Sequence, residues 1–358
     1  MRAASGLAVI AAALALASCA ALRPSPPEAK LERLVQAYFD EWLALNPTTA
    51  TDIGDHRFDD QRELSPALAH ETASVALETR YRTAVDAIDP ATLDDDARLT
   101  REMFLYGRDM VLERRRHPRR LLPISQFDGG LATDIALYGS GAGAQPFATI
   151  ADYDRWLVRA GRFPLWVDAA IAAMRESMAS GIVHPRAVMA KTVPQLESLI
   201  AADVEASIFY GPVGLMSEDW PAAERGRLEA AIRNLIEQQL NPSYRRLADF
   251  IRDEYLPACR ETVGWSALPG GTDTTTALAP ADIHAIRPAE VACYIVNPGQ
   301  ALGYKIGDLR IQALRRRAEE TLGTRFDVRE FHAAVLADGA LPLEVLERKI
   351  ARWIDSRR

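Results

Sequence analysis

Histidine and cysteine, which build most metal and nucleophile sites, are scarce in this 358-residue chain, at six and three. A helical zinc hydrolase needs two histidines one turn apart with a glutamate between them, so that both imidazoles bind one metal and the carboxylate activates water. His70-Glu71 begins that pattern, but Ser74 stands where the second histidine belongs. His56, His117, His184, His284 and His332 occur singly, and Cys259 and Cys293 match no zinc spacing. The nearest approach to a serine-hydrolase elbow, Gly139-Ser140-Gly141, lacks the required spacing, and no Gly-Lys-Ser/Thr follows to make a phosphate loop. These absences leave no catalytic residue and no metal ligand to assign. Net charge is −7, so nucleic acid is not an implied partner. Beyond the first residues there is no long apolar run, so no membrane-spanning body is implied. Alternating apolar and polar stretches are also few, so strands should be few.

The N-terminus carries Arg2, an apolar run from Leu7 to Leu16, and the small residues Ala17 and Ser18 directly before Cys19. That order is a secretory signal, expected over residues 1–18. Leu16-Ala17-Ser18-Cys19 resembles the bacterial lipobox, which implies that Cys19 is lipidated and that the lipid is the chain's membrane element. Ala20 follows instead of Asp, which by resemblance to Gram-negative sorting signals implies the outer membrane, facing the periplasm. Residues 19–29, with Arg23-Pro24-Ser25-Pro26-Pro27-Glu28, read as a polar, proline-rich tether. An oxidising compartment permits a Cys259–Cys293 bridge without demanding one. Two buried thiols are expected, with the bridge as the alternative.

Helical periodicity dominates the remainder. Leu34, Val35, Tyr38, Phe39, Trp42 and Leu45 recur at three- and four-residue spacings and predict one helix face, ended by Asn46-Pro47. Ser65-Pro66 fits an N-cap followed by proline at the first helical position. Thr149 with Asp152, and Asp327 with Glu330, look like capping boxes. Leu343, Leu346, Ile350, Trp353 and Ile354 form a last amphipathic stripe. The expected fold is all-α, a multi-helical body with few or no strands.

Two stretches read as loops: the glycine-rich Phe127 to Phe147, and Trp265 to Pro280 with Pro269-Gly270-Gly271. Arg114-Arg115-Arg116-His117-Pro118-Arg119-Arg120 is the strongest charge run. Nucleic acid or an anionic headgroup are its functional readings, but its place at a helix end favours arginines meeting terminal carbonyls and solvent. Asp94-Asp95-Asp96 likewise suits a helix start.

Several segments together resemble the bacterial domain-of-unknown-function 885 family, whose full-length members are similar to helical zinc metallopeptidases. They are Tyr38-Phe39-Asp40 through Asn46-Pro47-Thr48-Thr49-Ala50-Thr51 and Gly54-Asp55-His56, Tyr153 to Pro164 with Arg159, Tyr255-Leu256-Pro257, and Asn297 to Gly307. Phe326-Asp327, Phe331-His332 and Gly339 to Leu343 complete the set in family order. The resemblance implies a His-Glu-x-x-Pro-Gly-His-His zinc motif, and this chain lacks it. It passes from Asp282-Ile283-His284-Ala285-Ile286 directly to the family's C-terminal segment near Arg287-Pro288. Residues 30–286 are thus expected as an N-terminal helical domain and 287–358 as a C-terminal helical segment packing on it. The resemblance implies that the Pro-Gly-Gln region faces the cleft, which would make Tyr294, Gln300 and Tyr304 remnants of a substrate-facing wall; helix-start packing is the plainer role for them. Three readings stay open. One is a lipid-anchored protein without catalysis or zinc, retaining a peptide-binding groove. Another is a zinc hydrolase assembled from His56, His184, His284 and His332, and the third is a decayed gene. Loss of a packed segment should also leave an exposed apolar patch near Trp265 to Tyr304.

Overall fold

A computed structural model describes residues 26–125, 131–264, 267–268 and 300–358. Among these residues the chain is helical, as expected, and its one β-type pairing is an isolated parallel bridge between Pro185 and Arg260. No helix among the described residues is long and apolar enough to cross a membrane. The chain forms two compact units: one takes the residues up to Asp40 with Leu77–Leu112 and Leu314–Arg358, the other Glu41–Ala76 with Glu113–Ala313.

In the first unit, the helix Pro26–Leu45 opens inside the stretch read as a tether. Proline at a helix start costs nothing, because its missing N–H would have no intrahelical partner there. Leu31 and Tyr38, seven residues apart, carry the buried stripe, while Phe39, expected on that face, is 41% exposed. Tyr38 packs edge-on against Tyr81 and Phe104. Its hydroxyl donates to Glu78, which also pairs with Arg108, and that guanidinium lies 4.1 Å from the centre of the Tyr38 ring. Burial and the neighbouring carboxylate push the phenol well above its ordinary range.

The end of the chain builds a second core within this unit from Leu314, Ala318, Leu322, Phe331, Leu346, Ile350 and Ile354. The helix Val328–Leu336 is capped by Asp327, which accepts from the Arg329 N–H. Glu330, expected to complete a capping box, pairs with Arg357 instead. Arg348 and Arg352 both reach Glu102, fastening the helix Leu343–Asp355 to Asp95–Arg115.

In the second unit, Asn46 ends the first helix by donating its side-chain amide to the Trp42 carbonyl, and Pro47 starts a short one, Pro47–Asp52. The Thr149–Asp152 capping box is present in full at the head of Ile150–Ala160. Ser65-Pro66, by contrast, forms a turn and the helix begins at Leu68. The Ser65 hydroxyl accepts from the Trp166 indole instead of capping. The core gathers Trp156, Phe163, Trp166, Phe209 and Tyr244 from several helices. These include Phe163–Ser180, Arg186–Glu197 and a run from Ala222 to Ala258 interrupted by the π-helical turns Ile236–Leu240 and Ile251–Tyr255.

Part of the glycine-rich stretch is helix, Leu131–Gly139, which corrects the expectation of a loop from Phe127 to Phe147. Its glycines answer to packing as well as to flexibility. A Cβ on Gly139 would lie 2.6 Å from both the Trp156 and the Phe209 rings. Gly139→Ala should therefore destabilise by about 1–3 kcal/mol, the usual cost of overpacking a filled core. A urea midpoint unchanged from the parent's would refute that.

Candidate functional site

The arginine run does more than finish a helix. Arg115 ends the helix Asp95–Arg115, a turn follows, and Arg119–Leu121 forms a 3-10 segment. From there Leu122, Pro123 and Ser125 run along one side of a cavity of about 280 Å³. Ser65 and Pro66 contribute another wall, and His184, Pro185, Val188, Arg260 and Leu268 the rest.

The His184 side is held by backbone hydrogen bonds. Gly181, at a φ of 71°, ends Phe163–Ser180 in the left-handed conformation that glycine adopts without a Cβ penalty. The chain then runs extended past Arg260: the Arg260 N–H donates to the His184 carbonyl, and the Arg186 N–H donates to the Arg260 carbonyl at 2.8 Å. The Tyr255 hydroxyl accepts from the His184 N–H and lies 3.1 Å from the Ser177 hydroxyl. This bridge sets the side chains of His184 and Arg260 in one wall.

Among the described residues the charge of the cavity is one-sided, with four arginines and no acidic residue in its lining. Arg120 is neutralised by Glu71 and Glu176 outside the cavity. Arg115 donates to the Ser74 hydroxyl, and Arg260 donates only to the carbonyls of Val183, Thr262 and Gly264. Among the described residues, Arg115, Arg119 and Arg260 have no carboxylate partner. Arg115, Arg119 and Arg120 of the run thus line a cavity, while Arg114 and Arg116 stay exposed to solvent as expected.

His184 is buried, and among the described residues its Nε2 has no hydrogen-bond partner. Burial, then the charge of Arg260, push its imidazole down to about 4, against a hydrogen bond to the Leu122 carbonyl. The neutral ring spends its one N–H on that carbonyl, so Nε2 is left as an acceptor.

Among the described residues the histidines form no metal-holding group. His56 bonds Asp59 at 3.0 Å, His70 faces the Leu45 carbonyl, and the His332 ring lies tilted 6.0 Å from that of Phe331. Among the described residues no group of three or more histidine, cysteine, aspartate or glutamate side chains is placed to hold a metal. Cys19, His284, Cys293 and Tyr294 lie outside the described residues, and so does the side chain of Gln300. Cys259 is a buried free thiol whose burial pushes it up to about 11. Tyr304 is 80% exposed on the helix Gln300–Leu322, and Leu302, Ile306, Leu309 and Ile311 along the same helix are exposed too. Of the stretch expected to be apolar and exposed, Leu302 and Tyr304 are exposed, and residues 269–299 lie outside the described residues.

The comparisons with known proteins agree with this architecture. No curated protein matches the chain. A crystal structure described as that of "the putative lipoprotein from Colwellia psychrerythraea" shares the fold, with a TM-score of 0.73 over 92% of this chain and 99% of that one, at 13% identity. The profile of the bacterial proteins of unknown function DUF885 matches residues 47–293 and again 285–350. With most of its length matched, the chain belongs to the DUF885 family.

Proposed function

We propose that the chain is an exported protein, anchored by a lipid on Cys19, that binds a peptide-like ligand without hydrolysing it. The observation that carries this reading is the two-piece family match, whose pieces meet at residues 285–293. That junction is where the zinc-bearing segment is missing from the sequence, so the chain keeps both flanks of the motif and neither its ligands nor its glutamate. Metal catalysis needs ligands as well as a cleft. The near-complete coverage of the Colwellia chain supports a short architecture that folds in its own right, and its description as a lipoprotein supports the anchor. In this reading residues 1–18 are the removed signal, 19–29 carry the anchor, 30–286 form the main helical domain and 287–358 pack on it. Tyr294, Gln300 and Tyr304 offer a wall to the ligand, and the site faces the periplasm from the outer membrane.

Elemental analysis of the purified protein should find far less than one zinc per chain, and a panel of fluorogenic peptides should stay uncut with or without chelator. One tightly held zinc, or chelator-sensitive cleavage, would overturn the reading. Labelled palmitate should enter the parent and not Cys19→Ser.

A further inference from the structure

We infer that the arginine surface around the turn at Pro118, made by Arg114, Arg115 and Arg119 with Arg260 beside them, docks on the phosphates of anionic lipid headgroups and so lays the second unit against the bilayer. Naming the bilayer as the source of the phosphates rests on the anchor at Cys19 proposed above; the surface itself does not.

Local structure supplies the cations. The helix Asp95–Arg115 ends in the run, the chain turns, and Arg114, Arg116, Pro118 and Arg119 are all exposed. Two arginines of the run are spent on carboxylates, Arg116 on Glu113 and Arg120 on Glu71 and Glu176. Among the described residues Arg114, Arg115 and Arg119 have no such partner. Folding adds a fourth cation from far along the chain: Arg260 borders the same cavity as Arg115 and Arg119 and donates only to the carbonyls of Val183, Thr262 and Gly264. Guanidiniums gathered in this way without carboxylates repel one another, and an anion laid across them removes that cost.

Chemistry and shape narrow the partner. The planar fork of a guanidinium pairs two N–H groups with two phosphate oxygens, and its weak hydration makes it easier than an ammonium to bring to an interface. Side chains exposed on a turn meet a broad anionic surface, whereas a small ligand is held by enclosure. The chain carries −7 overall, so an anionic bilayer repels most of the molecule and attracts this corner, which selects the face presented. Cys19 stands just before the helix that starts at Pro26, and the chain between them spans about 25 Å at most. A lipid there keeps the body where headgroup phosphates are the most concentrated anions. Each arginine brought to such a surface strengthens binding about fivefold.

The test is sedimentation of the full chain with vesicles of phosphatidylcholine alone and of phosphatidylcholine mixed equally with phosphatidylglycerol, using Cys19→Ser so that no lipid contributes. An uncleaved signal enters both kinds alike, so the difference between them reads the surface. The anionic vesicles should bind at least about 25-fold more tightly, and high salt should shrink that preference. Arg114→Gln with Arg119→Gln, two exposed side chains outside the core, should lose most of it and still bind neutral vesicles as the parent does. Arg316→Gln with Arg317→Gln, equally exposed but elsewhere, should keep it. Equal binding to both vesicles, or an equal loss in the two double variants, would overturn the assignment. So would displacement by inorganic phosphate beyond that by sodium chloride of the same ionic strength, which would mark a site for free phosphate, or capture of an oligonucleotide in place of the vesicles. If labelled palmitate does not enter the parent, the anchor reading fails whatever the vesicles show. If it enters and the two vesicles bind alike, the surface assignment alone fails.

Discussion

Arg159→Met is expected to lower the free energy of unfolding by about 3–5 kcal/mol, the largest effect of any single substitution proposed for this chain. Arg159 is fully buried in the second unit. Its Nε donates to the Gln61 carbonyl at 2.8 Å, and one terminal nitrogen to the Gln145 side-chain oxygen at 2.8 Å. The other reaches the Phe58 carbonyl at 2.7 Å, the Thr51 hydroxyl at 2.8 Å and the Pro47 carbonyl at 3.3 Å. Asp59, equally buried, stands 3.8 Å away and accepts from Thr51 and His56. Methionine would fill much of the volume but leave those carbonyls without their donor and the buried Asp59 carboxylate without its counter-charge, and uncompensated buried groups dominate such costs. Arg159→Lys keeps the charge but cannot serve five acceptors from one ammonium, so it should still cost about 2 kcal/mol or more. Guanidinium unfolding midpoints of the three proteins measure this. A loss below 0.5 kcal/mol in the methionine variant, roughly the scatter of surface substitutions, would show that the network does not hold the fold together.

That network explains what the sequence showed and what it hid. Asn46 to His56 stood out as a family segment, and a catalytic or binding role could be imagined for His56. In the structure the segment is the cradle of Arg159: Pro47 and Thr51 bond it directly, and Asp55 caps the turn that presents His56 to Asp59. The helices were legible because their signals are local, as with the Thr149–Asp152 box and the break at Asn46. The cavity was not, because its walls come from positions as distant as Ser65, Arg119, His184 and Arg260. Nothing along the chain marks His184 as the partner of an arginine run more than sixty residues earlier. The helix Leu131–Gly139 was missed for a related reason: glycines read as flexibility were answering to Trp156 and Phe209, which local sequence cannot reveal.

Acidification should destabilise the protein through His184, and the sign follows from which state takes up the proton. The folded imidazole titrates at about 4, against an ordinary value of 6.5 once the chain unfolds. Above pH 6.5 both states are neutral there and His184 contributes no pH dependence. Between 6.5 and 4 the unfolded state binds the proton and the folded state does not, so stability falls with pH across that window. The loss approaches about 3 kcal/mol near pH 4, and roughly 2 kcal/mol is already gone by pH 5. Burial is the main cause, and the Arg260 charge beside it adds to the shift. Arg115, Arg119 and Arg120 line the same cavity, and the Tyr255 ring lies 6.3 Å from the imidazole. Other groups titrate in this range, so the comparison that isolates the effect is between the parent and His184→Gln, whose amide can still donate to the Leu122 carbonyl. The two stability curves should converge as pH falls from 7 to 5; parallel curves would mean that His184 is not held neutral.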